Sequence, residues 1–258
     1  MRIIYSVTEM QNILHSIKSN PENTIGFVPT MGALHEGHLT LLRRSRNENK
    51  FTVLSIFVNP TQFNNSNDFM KYPKTWENDL HMAQDIGVDF VFSPSYEDIY
   101  PDSYRFKILE SDFSKVLCGA HRPGHFEGML TIVMKLFNIV RPTRSYFGEK
   151  DFQQLQLVKE MVDAFFLETE IVPVKTVREP DGLAMSSRNI RLSPDDRKRA
   201  PQIFQILNQA PNRDTAFDLL KEHGFDIEYL EEHRERRFVA VRMGQEPNII
   251  RLIDNVKI

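Results

Sequence analysis

A single cysteine, Cys118, leaves no intramolecular disulfide partner, so packing must hold the chain, and a reducing compartment suits it. No stretch approaches the ~20 apolar residues that span a bilayer. The start, Met1-Arg2-Ile3-Ile4-Tyr5-Ser6, lacks the apolar core and cleavage site of a secretory signal. These absences predict a cytoplasmic protein with no membrane partner. Charge of one sign is missing too: 32 basic against 35 acidic residues give a net −3. That offers no general polyanion-binding surface and argues against nucleic acid as a partner. Any phosphate ligand must be held by local groups. Repeats, low-complexity segments and the ligand spacings of zinc, flavin or haem sites are also absent. Cys118 has no motif around it and reads as a semi-buried structural thiol. The remainder is an ordinary globular composition, 41% hydrophobic and 26% charged, long enough for one large domain or one large and one small.

Over the first two-thirds, strand-like and helix-like runs alternate. Strands are expected at 24–28, 51–58, 89–92, 145–147 and 171–174, where β-branched and aromatic residues sit between turn formers. Pro173 argues against a central position for the last of these. Helices are expected at 39–46, 76–86, 126–140 and 152–166, the third from its apolar face Met129, Ile132, Val133, Leu136, Phe137 and Val140. The Tyr-Phe-Gly-Glu-Lys and Ala-Phe-Phe clusters read as core. Such alternation predicts an α/β fold: a Rossmann-like parallel sheet with helices on both faces. Beyond residue 192 the texture changes. Ser193-Pro194-Asp195-Asp196 signals a helix start, with the helix running to about Asn208, another helix at 214–223, and short strands at 226–230, 238–243 and 249–253. These predict a smaller C-terminal α+β domain, with domains at 1–176 and 177–258. The charge run Glu231-Glu232-His233-Arg234-Glu235-Arg236-Arg237 reads as a solvated turn.

The most telling stretch is Val28-Pro29-Thr30-Met31-Gly32-Ala33-Leu34-His35-Glu36-Gly37-His38, lying between a strand and a helix. Backbone N–H groups and the dipole at a helix start receive anions. Two imidazoles there can donate to charge developing at phosphorus. Taken alone, the histidines could equally cap a turn. Other conspicuous segments are Phe57-Val58-Asn59-Pro60-Thr61-Gln62-Phe63, Arg122-Pro123-Gly124-His125-Phe126, Phe147-Gly148-Glu149-Lys150-Asp151-Phe152-Gln153-Gln154, Asp181-Gly182-Leu183-Ala184-Met185-Ser186-Ser187-Arg188-Asn189 and Arg251-Leu252-Ile253-Asp254-Asn255.

In this order the segments resemble the pantothenate synthetases, within the His-Xaa-Gly-His superfamily of nucleotidyl-transferring α/β enzymes. The resemblance implies an ATP-dependent ligase joining pantoate to β-alanine through a pantoyl adenylate, releasing AMP and pyrophosphate. It assigns ATP to Met31, Gly32, Ala33, Leu34, His35, Glu36, Gly37, His38, Gly148, Glu149, Lys150, Asp151, Val177, Met185, Ser186, Ser187 and Arg188. Among these, His38, His35, Lys150 and Arg188 are expected to be catalytic. Val177 is expected to meet adenine through its backbone. The resemblance places Gln62 and Gln154 on pantoate, with Gln62 also near β-alanine. Asn59, Arg122 and His125 read either as lining or gating the same pocket or as surface and packing residues, and Tyr72 either as a cover for the substrate or as plain packing. It further implies a homodimer through the larger domain, and ATP as substrate with Mg2+.

This sequence departs from the family pattern at Glu77-Asn78-Asp79, where an acidic pair is common. Asp79 is left as the expected outer-shell carboxylate near Mg2+. Lys74 stands where arginine is usual, and the C-terminal part is expected to be shorter than in relatives. Two other functions share the motifs: a nucleotidyltransferase acting on a phosphorylated acceptor, which would want extra basic residues, and a silent adenylate-binding protein, which would show erosion at the histidines, Lys150 or Arg188.

Overall fold

The computed structural model describes residues 1–258 apart from Pro247 and the side chain of Asn67. In chain order the first unit comprises β1 (Arg2–Ile4), α1 (Val7–Lys18), β2 (Ile25–Thr30), α2 (Glu36–Glu48), β3 (Phe51–Ile56), α3 (Ser66–Met70), α4 (Trp76–Ile86), β4 (Phe90–Phe92), α5 (Tyr96–Ile99), α6 (Cys118–His121), α7 (His125–Val140), β5 (Arg144–Gly148), α8 (Phe152–Ala164) and β6 (Glu170–Val174). The strands form a six-stranded parallel sheet in the order β1-β4-β3-β2-β5-β6.

Side chains alternate across this sheet. Phe27, Val53, Phe92 and Phe147 face a core shared with α1, α7 and α8. Their neighbours Val28, Leu54, Val91 and Tyr146 face a second core against α2 and α4. Burial on both faces explains why the strands read as continuous apolar runs. Pro173 is accommodated because β6 is an edge strand. From β2 the chain builds outward through β3 and β4, then returns to add β5 and β6 on the other side. The switch point therefore lies between β2 and β5, where open α/β sheets bind ligands. Those two strands pair only through Gly26–Arg144 and Phe27–Ser145. Beyond that stretch, Pro29, Thr30, Phe147 and Gly148 line a cavity.

The C-terminal unit holds α9 (Pro194–Arg199), α10 (Gln202–Gln209), α11 (Arg213–Glu222) and an antiparallel sheet of β7 (Asp226–His233), β8 (Arg236–Met243) and β9 (Ile250–Lys257). Ser193 caps α9 as expected, accepting from Asp196 N, with proline at the first turn. The single helix expected up to Asn208 is instead two, broken at Ala200-Pro201, since an interior proline offers no N–H and crowds the preceding turn. The charge run is corrected as well. Only Arg234 and Glu235 form the turn, both with positive φ, which suits a two-residue hairpin. Arg237 is 2% exposed, paired with Glu232 and donating to the carbonyls of Leu207 and Ala210. Phe165 and Phe166 are not core either; they lie past the end of α8, 52% and 90% exposed. Cys118, expected as a semi-buried structural thiol, is buried.

Candidate active site

The corner between β2 and α2 is shaped by its own backbone. Thr30 Oγ1 donates to the Ser55 carbonyl (2.7 Å) and accepts from Gly32 N (3.1 Å). Gly32 and Ala33 then take positive φ values of 77° and 50°. This turns Ala33 N and Leu34 N onto the two oxygens of Asp79 on α4, at 2.9 and 2.8 Å. Thr75 Oγ1 donates to the same buried carboxylate (2.9 Å).

His35 caps α2. Its Nδ1 accepts from Gly37 N (3.2 Å), while His38 Nδ1 accepts from His35 N (3.3 Å). A neutral imidazole that accepts at Nδ1 carries its proton at Nε2. Both rings are held neutral. Burial, then the Lys150 ammonium, lowers His35 to about 4. Burial, then His35 and Lys150, lowers His38 to about 3. Two Nε2–H donors on rings 4.1 Å apart therefore face the cavity they line.

Lys150 stands on the turn Glu149–Asp151 between β5 and α8. Asn255 of β9 clamps that turn, donating from Nδ2 to the carbonyls of Glu149 (3.0 Å) and Lys150 (2.9 Å). The Met-Ser-Ser-Arg segment hangs from a short bridge between Arg178 and Ala184. Arg178 is held by a forked pair to Asp254 (2.6 and 2.9 Å) and stacks 3.5 Å over the Phe204 ring. Arg188 reaches Asp68 on α3 (2.8 Å), as does Arg191 (3.2 Å), and Ser187 Oγ contacts Tyr72 OH (3.4 Å).

His35, His38, Lys150, Met185, Ser186, Ser187 and Arg188 line a cavity of about 250 Å³. Gln62 and Gln154 line it too. Arg122 donates to the Gln62 carbonyl (3.2 Å) and to His125 Nε2 (3.0 Å), and His125 Nδ1 donates to the same carbonyl (2.8 Å). Burial, then Arg122, lowers His125 to about 3; burial and the Arg251 cation lower Arg122 to about 10. Gln153, beside Gln154, faces away, bonding Cys118 N and the carbonyls of Phe113 and Val116.

The model of the pantoate–β-alanine ligase family matches residues 2–257. The chain belongs to this family. It is 56% identical over 235 residues to a pantothenate synthetase of Bdellovibrio bacteriovorus, covering 91% of this chain and 92% of that protein. A pantothenate synthetase of Coxiella burnetii is 48% identical, with 99% and 96% covered. Among solved structures, the Francisella tularensis pantoate–β-alanine ligase complexed with β,γ-ATP and β-alanine superposes with a TM-score of 0.92. It is 40% identical, with 100% of this chain and 97% of that one covered. The resemblance read from the motifs is borne out, as is the fold. Against the Bdellovibrio bacteriovorus and Coxiella burnetii proteins no large shortening shows, since 92% and 96% of their lengths are matched.

His35, Gly37, His38, Met31, Gly148, Lys150, Asp151, Val177, Met185, Ser186, Ser187, Arg188, Gln62 and Gln154 all line the one cavity, with Asn59, Tyr72, Arg122 and His125. Five expected ATP contacts do not. Gly32, Ala33 and Leu34 form the turn on Asp79, Glu36 pairs outward with Arg43, and Glu149 pairs with Arg236 (3.0 Å). Asp79, expected in the outer shell near Mg2+, is buried with its oxygens accepting from two amides and a hydroxyl, and so anchors the histidine turn. Among the described residues, no group of three or more His, Cys, Asp or Glu could hold a metal ion. The Val177 carbonyl accepts from Met185 N (3.0 Å), which leaves it engaged within the loop. Sequence reading missed Asp68 as the partner of Arg188 and Asn255 as the clamp on Lys150. Both pair across more than a hundred residues, where spacing carries no signal.

Proposed function

We propose that this chain condenses pantoate with β-alanine at the expense of ATP. The pantoate carboxylate oxygen bonds to the α-phosphorus while the bond to the bridging oxygen breaks, giving pantoyl adenylate and pyrophosphate. The β-alanine amine then attacks the acyl carbon, AMP leaves, and the nitrogen gives up a proton. His38 and His35 donate Nε2–H bonds to the phosphoryl oxygens as charge grows on them. Lys150 and Arg188 take the charge of the departing pyrophosphate, and Ser186 and Ser187 bond its oxygens. Gln62 and Gln154 hold pantoate; neutral amides position a carboxylate without the ground-state stabilisation a fixed cation would give. Mg2+ enters with ATP as part of the substrate, liganded chiefly by phosphate and water.

One observation carries this reading: two neutral Nε2–H imidazoles and Lys150 share a cavity at the sheet's switch point with two amide side chains. The test is pyrophosphate and AMP release from Mg-ATP plus pantoate, with and without β-alanine. Pyrophosphate should form in a single turnover with pantoate alone, and AMP and pantothenate should accumulate once β-alanine is added. No pyrophosphate with pantoate would overturn the assignment.

The chain assembles as a homodimer through its larger domain. Phe106 and Leu109, 67% and 68% exposed on a segment of that domain without helix or strand, support this. Light scattering in solution should give twice the chain mass. A lone buried cysteine supports work in the cytoplasm, and no helix of the described residues is long and apolar enough to cross a membrane.

A further inference from the structure

Gln62 offers the cavity an amide with two chemically opposite ends, and the network behind it decides which end a substrate meets. The deciding atom is the Gly128 carbonyl on α7, which can only accept. It lies 3.2 Å from the Asn59 amide, so the Asn59 atom facing it must be Nδ2. Asn59 Oδ1 then points the other way, where Tyr100 OH (2.8 Å) and Thr61 Oγ1 (3.0 Å) donate to it. The same Nδ2 donates to Gln62 Oε1 (3.0 Å). With Oε1 taken, the hydrogens of Gln62 Nε2 are what remains for a ligand. Their neighbour here is Met31 Sδ at 3.4 Å, a weak acceptor that a substrate oxygen displaces at little cost.

Tyr100 lies outside the cavity lining and is 2% exposed. Its ring packs against Tyr96 and Tyr104, at 5.0 and 5.3 Å between centroids, with Lys135 Nζ 5.1 Å from its face. Burial pushes its hydroxyl well above the usual phenol range, so the proton it donates stays in place at any working pH. We propose that Tyr100 is a positioning residue for the acid substrate. Acting through Asn59, it locks the Gln62 amide with its N–H side toward the cavity, so that this point selects an accepting oxygen of a carboxylate or hydroxyl. A flipped amide would set Oε1 against that oxygen. The inference rests on the placing of pantoate at Gln62.

A double-mutant cycle tests it: Tyr100→Phe, Gln62→Ala and the pair, with KM for pantoate, KM for ATP and kcat measured for each. Losing one neutral hydrogen bond in the relay should raise KM for pantoate about 5–10-fold, with KM for ATP within about twofold. In the Gln62→Ala background, Tyr100→Phe should add nothing, because its effect passes through that amide. Asn59→Asp, which sets an oxygen against both Gly128 O and Gln62 Oε1, should be worse than Tyr100→Phe on the same parameter. If Tyr100→Phe proves poorly folded, Thr61→Val removes the other donor to Asn59 Oδ1 and carries the same cycle. Equal factors in both backgrounds, or parallel shifts in pantoate and ATP, overturn the positioning role while leaving pantoate at Gln62. No change in KM for pantoate with Gln62→Ala overturns that placing itself, and the inference with it.

Discussion

Gly37 lies between His35 and His38, and the His35 ring occupies the space a side chain there would need. A Cβ there would lie 2.9 Å from Cε1 and Nδ1 of the His35 ring. The ring is the end of a movable side chain, so Gly37→Ala should swing it aside at small cost in stability and break its bond from Gly37 N. We expect adenylate formation to slow at least about tenfold, against about 10²–10³ for His38→Ala, which removes a transition-state donor outright. Rapid-quench measurement of pyrophosphate, beside a thermal melt, separates the two effects; wild-type rates in both variants would contradict the assigned roles. The same histidines fix a pH dependence. His35, His38 and His125 titrate in the fold at about 4, 3 and 3, below the ordinary 6.5. Unfolding therefore takes up protons from about pH 6.5 down to about pH 4 for His35 and about pH 3 for His38 and His125. Stability from these groups is complete above that window and is lost as pH falls through it, by up to about 1.4 kcal/mol per pH unit for each ring. Urea midpoints should be level between pH 8 and 7 and fall between pH 6 and 5, where few carboxylates titrate. A midpoint unchanged down to pH 5 would mean that the rings are not held neutral.

At the scale of elements, hydrophobic period and turn chemistry made most of the parallel sheet legible. Trp76–Ile86 was readable to the residue, and the histidine corner fell where strand and helix signals met. The misses have physical causes. β1 is three residues long and gains its place only by pairing with β4, which no local pattern encodes. The stretch after Ser193 looked like one helix because the start signal at Ser193 carries on across Pro201 to the apolar Ile203–Leu207 run, and backbone geometry overrides that continuity. Arg237 looked solvated because a charged side chain gives no sign that two helix-end carbonyls await it. The site was legible wherever its residues are contiguous, and not where it depends on distant partners. Asn255 is the clearest case. Replacing it with alanine should leave the carbonyls of Glu149 and Lys150 without their donor and loosen the turn that aims the lysine. KM for ATP should rise and kcat fall, together about tenfold in kcat/KM, while Asn255→Asp, which sets a carboxylate against both carbonyls, should do more. Steady-state kinetics equal to wild type in both would show that β9 does not position Lys150.

The whole molecule is tied together by the two faces of its small sheet. On β8, Phe238 and Ala240 pack into the core beneath the parallel sheet, whereas Val239 and Val241 pack with α10 and α11. Tyr229 and Leu230 on β7 divide in the same way. The C-terminal unit thus has its own core yet lends its other face to the larger one, and Phe238 meets the Phe152 ring at 5.9 Å, next to the Lys150 turn. Two units sharing a core in this manner should melt as one. Trp76, the sole tryptophan, packs in the larger unit against the core facing α2 and α4, on the far side of the parallel sheet from Phe238, and so reports on the larger unit alone. Urea unfolding followed by Trp76 fluorescence should coincide with unfolding followed by far-ultraviolet circular dichroism. Phe238→Ala should shift both curves together, by about 3–5 kcal/mol, although the substitution lies in the other unit. If circular dichroism fell first while fluorescence held, the C-terminal unit would be unfolding alone. The shared face would then be too weak to couple the units, and the Lys150 turn would have to keep its shape without support from β9.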